Sequence, residues 1–382
     1  MRARPTAVAV LAVLGLLVLA GCGEDEDAEP AVPSFTQPTD ATPDGPATTA
    51  TESSTPEEPP PGGPPRVAGV VATDLAVPWG IDFLPDGTAL VTERDSRRVL
   101  AVDPEGDVRQ VGEVAQAQPE GEGGLLGLAV DPASDGRDVY VYATTAEDNR
   151  VLRAELVDGR LGEAEVVLDG IPRGFIHDGG RLVFGPDGHL YVSTGETGVR
   201  ELAQDPDSLA GKILRITTDG DPAPGNPDPS SPVWSLGHRN VQGLAFDDEG
   251  RLWASEFGES TYDEVNLIEP GANYGWPAVE GPGGGDEFVD PLVTWPTSAA
   301  SPSGMAYADG HLWVGALRGE RLWRIPVRGE RLGEPTGFFE GENGRVRTVV
   351  TSPDGDLWVT TSNRDGRGTP AARDDRILRV TP

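Results

Sequence analysis

The sequence predicts an all-β chain built as a six-bladed β-propeller. Its composition is turn-rich, with 51 Gly and 36 Pro in 382 residues and few long apolar helical stripes. One short phrase, an Asp-Gly-type turn followed by a strand rich in Leu, Trp, Tyr and Val, recurs six times. The copies stand roughly 45–60 residues apart, the period of a propeller blade. A β-sandwich would not keep such even spacing over roughly 300 residues.

Two segments precede the repeats. Residues 1–21 carry basic Arg2 and Arg4, an apolar run from Ala7 to Ala20, and the ending Leu19-Ala20-Gly21 before Cys22. This is the pattern of a bacterial lipoprotein signal peptide. The run is short for a membrane span, which takes about 20 apolar residues. Cys22 is the single cysteine, so no internal disulfide forms, and the pattern makes it the lipidation site. The mature chain is then expected to be extracytoplasmic, lipid-anchored to the outer face of the cell membrane. Residues 22–66 are Pro, Thr, Ser, Glu and Asp with almost no aromatics. They hold too little apolar surface to offset ordering entropy and read as a disordered linker. The propeller is expected over residues 67–382.

The repeats run through Asp86-Gly87, Asp135-Gly136, Asp187-Gly188, Glu249-Gly250, Asp309-Gly310 and Asp354-Gly355. The glycine supplies the positive φ of a tight hairpin, and the next residues alternate into a strand. Further strands are expected at residues 97–102, 150–154, 212–216 and 321–325. Residues 376–380 read as a lone strand after the sixth copy, expected to pair with the first blade and close the ring. Trp253, Trp313, Trp323 and Trp358 recur at equivalent repeat positions and read as core. Trp276 and Trp295 fall in predicted loops, where packing and flanking a ligand are both open.

The charge balance is 30 Lys and Arg against 63 Asp and Glu, a net −33. Such a field repels phosphate and excludes nucleic acid as the default partner. It also makes any local cluster of arginines conspicuous. In a propeller the segments leading into each innermost strand converge on one end of a central channel. The polar residues there are Glu122, His177, Arg239, Asn240, Gln242, Arg345 and Arg347, with Arg318 added from a loop inside the fifth blade. Converging arginines repel unless an anion joins them, and their forks suit carboxylates. The expected ligand is therefore a small polyanion. His177 is the natural proton acceptor beside it near neutral pH. His189 and His311 sit in repeat turns and read as surface; His238 packs the loop or faces the ligand.

At this point a resemblance is visible. The chain resembles the soluble, pyrroloquinoline-quinone-dependent glucose and aldose sugar dehydrogenases, most closely the aldose type, over about residues 68–382. The carrying phrases are Pro78-Trp79-Gly80, Glu122-Gly123-Gly124-Leu125-Leu126-Gly127, His177 with Gly179-Gly180-Arg181-Leu182, and Gly237-His238-Arg239-Asn240-Val241-Gln242-Gly243. Ser255-Glu256-Phe257-Gly258, Asp263-Glu264-Val265-Asn266-Leu267-Ile268, Asn273-Tyr274-Gly275-Trp276-Pro277 and Arg345-Val346-Arg347 follow in order.

The resemblance implies pyrroloquinoline quinone and Ca2+ as cofactors and an aldose as substrate. His177 would take the proton of the anomeric hydroxyl while the anomeric hydride passes to the quinone, giving a lactone. Arg239 and Asn240 would stabilise the oxyanion that develops on the quinone. Glu122 and Gln242 would line the cofactor, and Arg318, Arg345 and Arg347 would hold its carboxylates. Calcium would be held partly by the backbone carbonyls of Gly258 and Glu259. Electrons would leave to an external acceptor.

The chain departs from the family pattern at three places. Arg318 stands where Lys is common, Glu259 where the glucose-specific branch has Pro, and Ile176 where that branch has an acidic residue. Glucose specificity is therefore not carried over. Asp263, Glu264 and Tyr274 match a second calcium site of some relatives or form a solvated face. Two other function classes stay in view: a propeller lactonase-type hydrolase, which needs calcium held by acidic side chains, and a non-catalytic extracellular binding module.

Overall fold

The structure, a computed structural model, describes residues 63–382. The expected signal peptide, the expected lipidation site Cys22 and the expected linker up to residue 62 lie outside the described residues. Six antiparallel sheets follow one another along the chain. Their innermost strands are Pro78–Phe83, Leu125–Val130, Leu182–Phe184, Val241–Phe246, Pro302–Ala308 and Val346–Thr351. Each packs against the next and the last against the first, so the six strands ring a central channel. This is the predicted six-bladed propeller.

Each innermost strand reverses through its repeat phrase. The turn glycines Gly87, Gly136, Gly188, Gly250, Gly310 and Gly355 have φ of 85°, 78°, 76°, 77°, 72° and 86°. A Cβ disfavours that region, which is why glycine recurs there. Alternation then sends one face of each sheet toward each neighbour, and six apolar clusters fill the gaps between blades. Trp253, Trp313 and Trp358 are buried in them, and full burial of such a side chain stabilises by about 1.5–3 kcal/mol or more.

Three expectations need correction. Residues 376–380 do not pair with the first blade. Strand Ile377–Thr381 lies between Leu357–Thr361 and the N-terminal strand Arg66–Ala72, all in the last sheet. The first strand among the described residues thus supplies the outer edge of the sixth blade and closes the ring. It was illegible as a strand because it carries no repeat phrase and is exposed over most of its length. It begins at Arg66. Trp295 is not in a loop but in strand Val293–Pro296, buried and packed against Trp323. Trp323 is only half-buried.

Candidate active site

His177 sits in the segment entering the third blade. Its backbone is left-handed, with φ of 60°, a conformation that costs a non-glycine residue energy and must be held by its surroundings. Three contacts hold it. The His177 N–H donates to Glu122 Oε2 at 2.9 Å. Its carbonyl accepts from the Thr197 N–H at 3.2 Å. The backbone of Gly195 packs so closely that a Cβ there would lie 1.9 Å from the His177 carbonyl oxygen. Buried Asp178 braces the loop from below, accepting from Asn149 Nδ2 at 2.9 Å and the Gly174 N–H at 3.0 Å. Burial pushes its carboxyl up to about 6.

The imidazole is largely covered, and its Nδ1 lies 2.5 Å from Glu196 Oε1. A carboxylate at Nδ1 fixes the proton on that nitrogen and leaves Nε2 with its lone pair free. Glu196 is itself buried, and its second oxygen has no partner among the described residues. Sequence reasoning missed Glu196. The available signal was Thr194-Gly195-Glu196, which follows the strand Leu190–Ser193 at the channel mouth.

Glu122 ties two blades together. One oxygen takes the His177 N–H and the other accepts from Arg367 Nη1 at 2.6 Å. Burial works to raise the Glu122 carboxyl, but the His177 N–H and Arg367 outweigh it and hold it below the usual carboxylate value. Trp79, Arg94, Gln242 and Arg347 line the same cavity.

Arg239 and Asn240 enter from the fourth blade. The Arg239 N–H is fixed by Glu256 Oε2 at 2.8 Å, its Nη1 reaches the Phe257 carbonyl at 3.3 Å, and its guanidinium lies 5.3 Å from the centroid of Trp276. Burial pulls it below its ordinary value, against the opposing pull of Glu196, Glu259, Glu280 and Glu256. Asn240 accepts from the Gly179 N–H at 3.1 Å. Two buried donors, Arg239 Nε and Asn240 Nδ2, have no acceptor among the described residues. A buried donor without a partner is costly, so both point to a ligand acceptor. His238 is structural: it is fully buried, bonded to Glu256 and Ser235 at 2.9 Å each, and stacked on Tyr274.

Arg345 and Arg347 do converge, but the anion that joins them belongs to the chain. Asp365 accepts from Arg345 Nε at 3.0 Å and Arg347 Nη2 at 3.4 Å. Arg347 also meets Gln242 Oε1 at 3.3 Å, and Gln242 Oε1 in turn accepts from Ser303 Oγ at 2.8 Å. The arginine pair therefore carries one net positive charge, not two. Arg318 is exposed, and no side-chain partner is found for it among the described residues. Asp365, Arg367 and Arg94 were not foreseen; they lie outside the segments that lead into innermost strands.

The Glu259 carboxylate is taken by Arg200. Glu280 Oε1 caps the turn, accepting the N–H groups of Glu259, Ser260, Thr261 and Tyr262. No hydrogen bond among the described residues goes to the Gly258 or Glu259 carbonyl. Glu264 and Tyr274 line one small pocket with Gly258 and Arg239, where Glu264 accepts the Gly281 N–H and Tyr274 donates to the Leu267 carbonyl, while Asp263 lies outside that lining and accepts the Gly258 and Ser301 N–H groups. Among the described residues no group of three or more His, Cys, Asp or Glu side chains forms a metal cluster.

A family model described as glucose/sorbosone dehydrogenase matches residues 75–378. An aldose sugar dehydrogenase of Streptomyces coelicolor, solved in its PQQ-bound form, is 52% identical, with 85% of this chain and 99% of that chain covered and a TM-score of 0.83. An aldose sugar dehydrogenase of Escherichia coli is 32% identical over 351 residues, 82% of this chain and 92% of the relative. Quinoprotein glucose dehydrogenase B of Acinetobacter calcoaceticus is 32% identical over 250 residues, 56% of this chain and 52% of the relative.

Proposed function

The chain belongs to the glucose/sorbosone dehydrogenase family and is an oxidoreductase, and from that premise we propose that it oxidises aldoses at the anomeric carbon to lactones, with pyrroloquinoline quinone and calcium as cofactors and an external electron acceptor. The observation that carries this reading is His177, its Nδ1 on Glu196 at 2.5 Å and its Nε2 free.

The residues present fit both groups. The unpartnered donors of Arg239 and Asn240, with Arg318, Arg345 and Arg347, suit a flat molecule bearing carbonyl and carboxylate oxygens. Gln242 and Glu122 line the same cavity as Arg347. The Gly258 and Glu259 carbonyls, which accept no hydrogen bond among the described residues, are oxygen ligands of the kind calcium takes, while the Glu259 carboxylate stays on Arg200. When bound there, the quinone supplies a two-electron acceptor and calcium a Lewis acid.

The chain's own residues do the rest. His177 Nε2 takes the proton of the sugar's anomeric hydroxyl, and Glu196 stabilises the imidazolium that forms. Glu122 keeps the His177 backbone in its left-handed state, so the ring cannot swing away. Arg239 and Asn240 donate to oxygen that gains negative charge during the reaction. Arg345 and Arg347, spaced by Asp365, hold carboxylates without repelling each other. In this reading the lipid on Cys22 anchors the enzyme outside the cytoplasm, ahead of the propeller that starts at Arg66. No lactonase-type set of acidic metal ligands competes with this reading among the described residues.

The test is to load the purified protein with pyrroloquinoline quinone and calcium, supply an artificial dye, and offer a panel of aldoses. Dye reduction with lactone formation, seen by NMR, supports the proposal; lactone hydrolysis without dye reduction sinks it.

A further inference from the structure

The arginines around the cavity are mostly neutralised by the chain. Arg345 and Arg347 share Asp365, Arg367 has Glu122, and Arg94 has Asp95. Arg239 is faced by four glutamates. Arg181 differs. It is buried, yet no ion pair to it is found among the described residues. The one charged group acting on it is the like charge of Arg347, so burial and Arg347 both work against its ionised form.

Its position is fixed from several blades. Arg181 Nε donates to the Gln242 carbonyl at 2.9 Å, Nη1 to the Trp79 carbonyl at 3.5 Å and Nη2 to Thr348 Oγ1 at 3.2 Å. The guanidinium stacks 4.3 Å from the centroid of Trp79, a ring whose centroid also lies 5.9 Å from Arg347. Trp79 lines the cavity of Glu122 and Arg347, while Arg181 lines the other half of the channel with Asp82, Leu128 and Met305, the Asp82 carboxylate being held by the Phe83 and Val130 N–H groups and not by Arg181. Arg181 is thus one indole away from the proposed cofactor cavity. Carbonyl dipoles and a π-face satisfy its donors but leave a full positive charge in a medium that screens it weakly. A desolvated cation with no counter-ion is expensive to keep, and an anionic ligand across the indole is what would make it favourable.

We propose that Arg181 is a positioning residue for the cofactor: its unneutralised buried charge draws the anionic cofactor into the channel without touching it. This rests on the reading of the cavity as a pyrroloquinoline quinone site. In charge terms, Arg345 and Arg347 less Asp365 give one net positive charge, Arg318 a second at the rim, and Arg181 a third from below.

The test is titration of the calcium-loaded protein with pyrroloquinoline quinone, followed by tryptophan fluorescence, in the parent, Arg181→Gln and Arg181→Lys. Gln keeps a donor for the carbonyls and removes the charge; Lys keeps the charge. The expected result is a Kd raised about tenfold or more in Arg181→Gln, or about 1.4 kcal/mol, and nearly parental in Arg181→Lys. Folded Arg181→Gln binding like the parent, or Gln and Lys weakening alike, overturns the proposal. Should Arg181→Gln not fold, Thr348→Asp sets a carboxylate against Arg181 and carries the same test: weakened binding supports it, parental binding overturns it. A parent that does not bind the quinone refutes the cofactor reading itself, which separates the two failures.

Discussion

Glu196 Oε1 lies 2.5 Å from Nδ1 of His177, on a loop of the third blade that Gly195 pins against the His177 carbonyl. The contact sets which imidazole nitrogen is free, and most of the chemistry follows from that.

Glu196→Gln keeps the shape but offers an amide where a carboxylate stood. The ring then loses both its tautomer control and the charge that stabilises imidazolium. Turnover should fall by about 10²–10⁴, with quinone binding by fluorescence titration unchanged. Loss of quinone binding in parallel with turnover would show that Glu196 supports the pocket, not the base.

Arg347→Met should damage binding and stability together. It removes a cavity donor and strips one of two cations from the buried carboxylate of Asp365, where an unpaired charge costs up to about 3–5 kcal/mol. Adding Asp365→Asn should restore much of the melting temperature without restoring the quinone Kd. A double variant that regains both would deny Arg347 a ligand role.

A buried carboxyl pair makes stability fall with alkali. Asn266 Nδ2 bridges Glu256 Oε1 at 3.2 Å and Glu264 Oε2 at 3.3 Å. Burial first, and the Glu256 charge second, push Glu264 up to about 8. Its folded value is above its unfolded one, so its contribution is fully present below the unfolded value and lost as pH rises through about 8. The melting temperature should drop between about pH 4.5 and 8, and drop less in Glu264→Gln. Equal slopes in parent and variant would contradict the assignment.

Calcium held by backbone carbonyls should not depend on the Glu259 carboxylate, which is occupied by Arg200. Chelation should lower activity and calcium restore it. Glu259→Gln should respond to calcium within about threefold of the parent; loss of the response would make that carboxylate a ligand.

Much of this was legible in the residues. The Asp-Gly phrases fix six hairpins because glycine must take a positive φ there, and hairpin order fixes the blades. His177, Arg239, Asn240, Gln242, Arg345 and Arg347 could be singled out because they stand just before or at the start of innermost strands. Strand Arg66–Ala72 was not legible, because an exposed edge strand needs no alternating pattern and its partner is the far end of the chain. Asp365 and Arg367 were missed for a related reason: they come from a loop inside the last blade, and only folding shows that it reaches the arginine pair and Glu122. The balance of charge in the site could not be read either, since a list of arginines does not show which carboxylates already hold them.

The most direct test compares the parent with His177→Ala, both loaded with quinone and calcium and matched for quinone content, in aldose-dependent dye reduction. The account predicts brisk reduction by the parent and loss of about 10³-fold or more in the variant at equal cofactor occupancy. A variant that keeps the parental rate, or a loaded parent that oxidises no aldose, would contradict it.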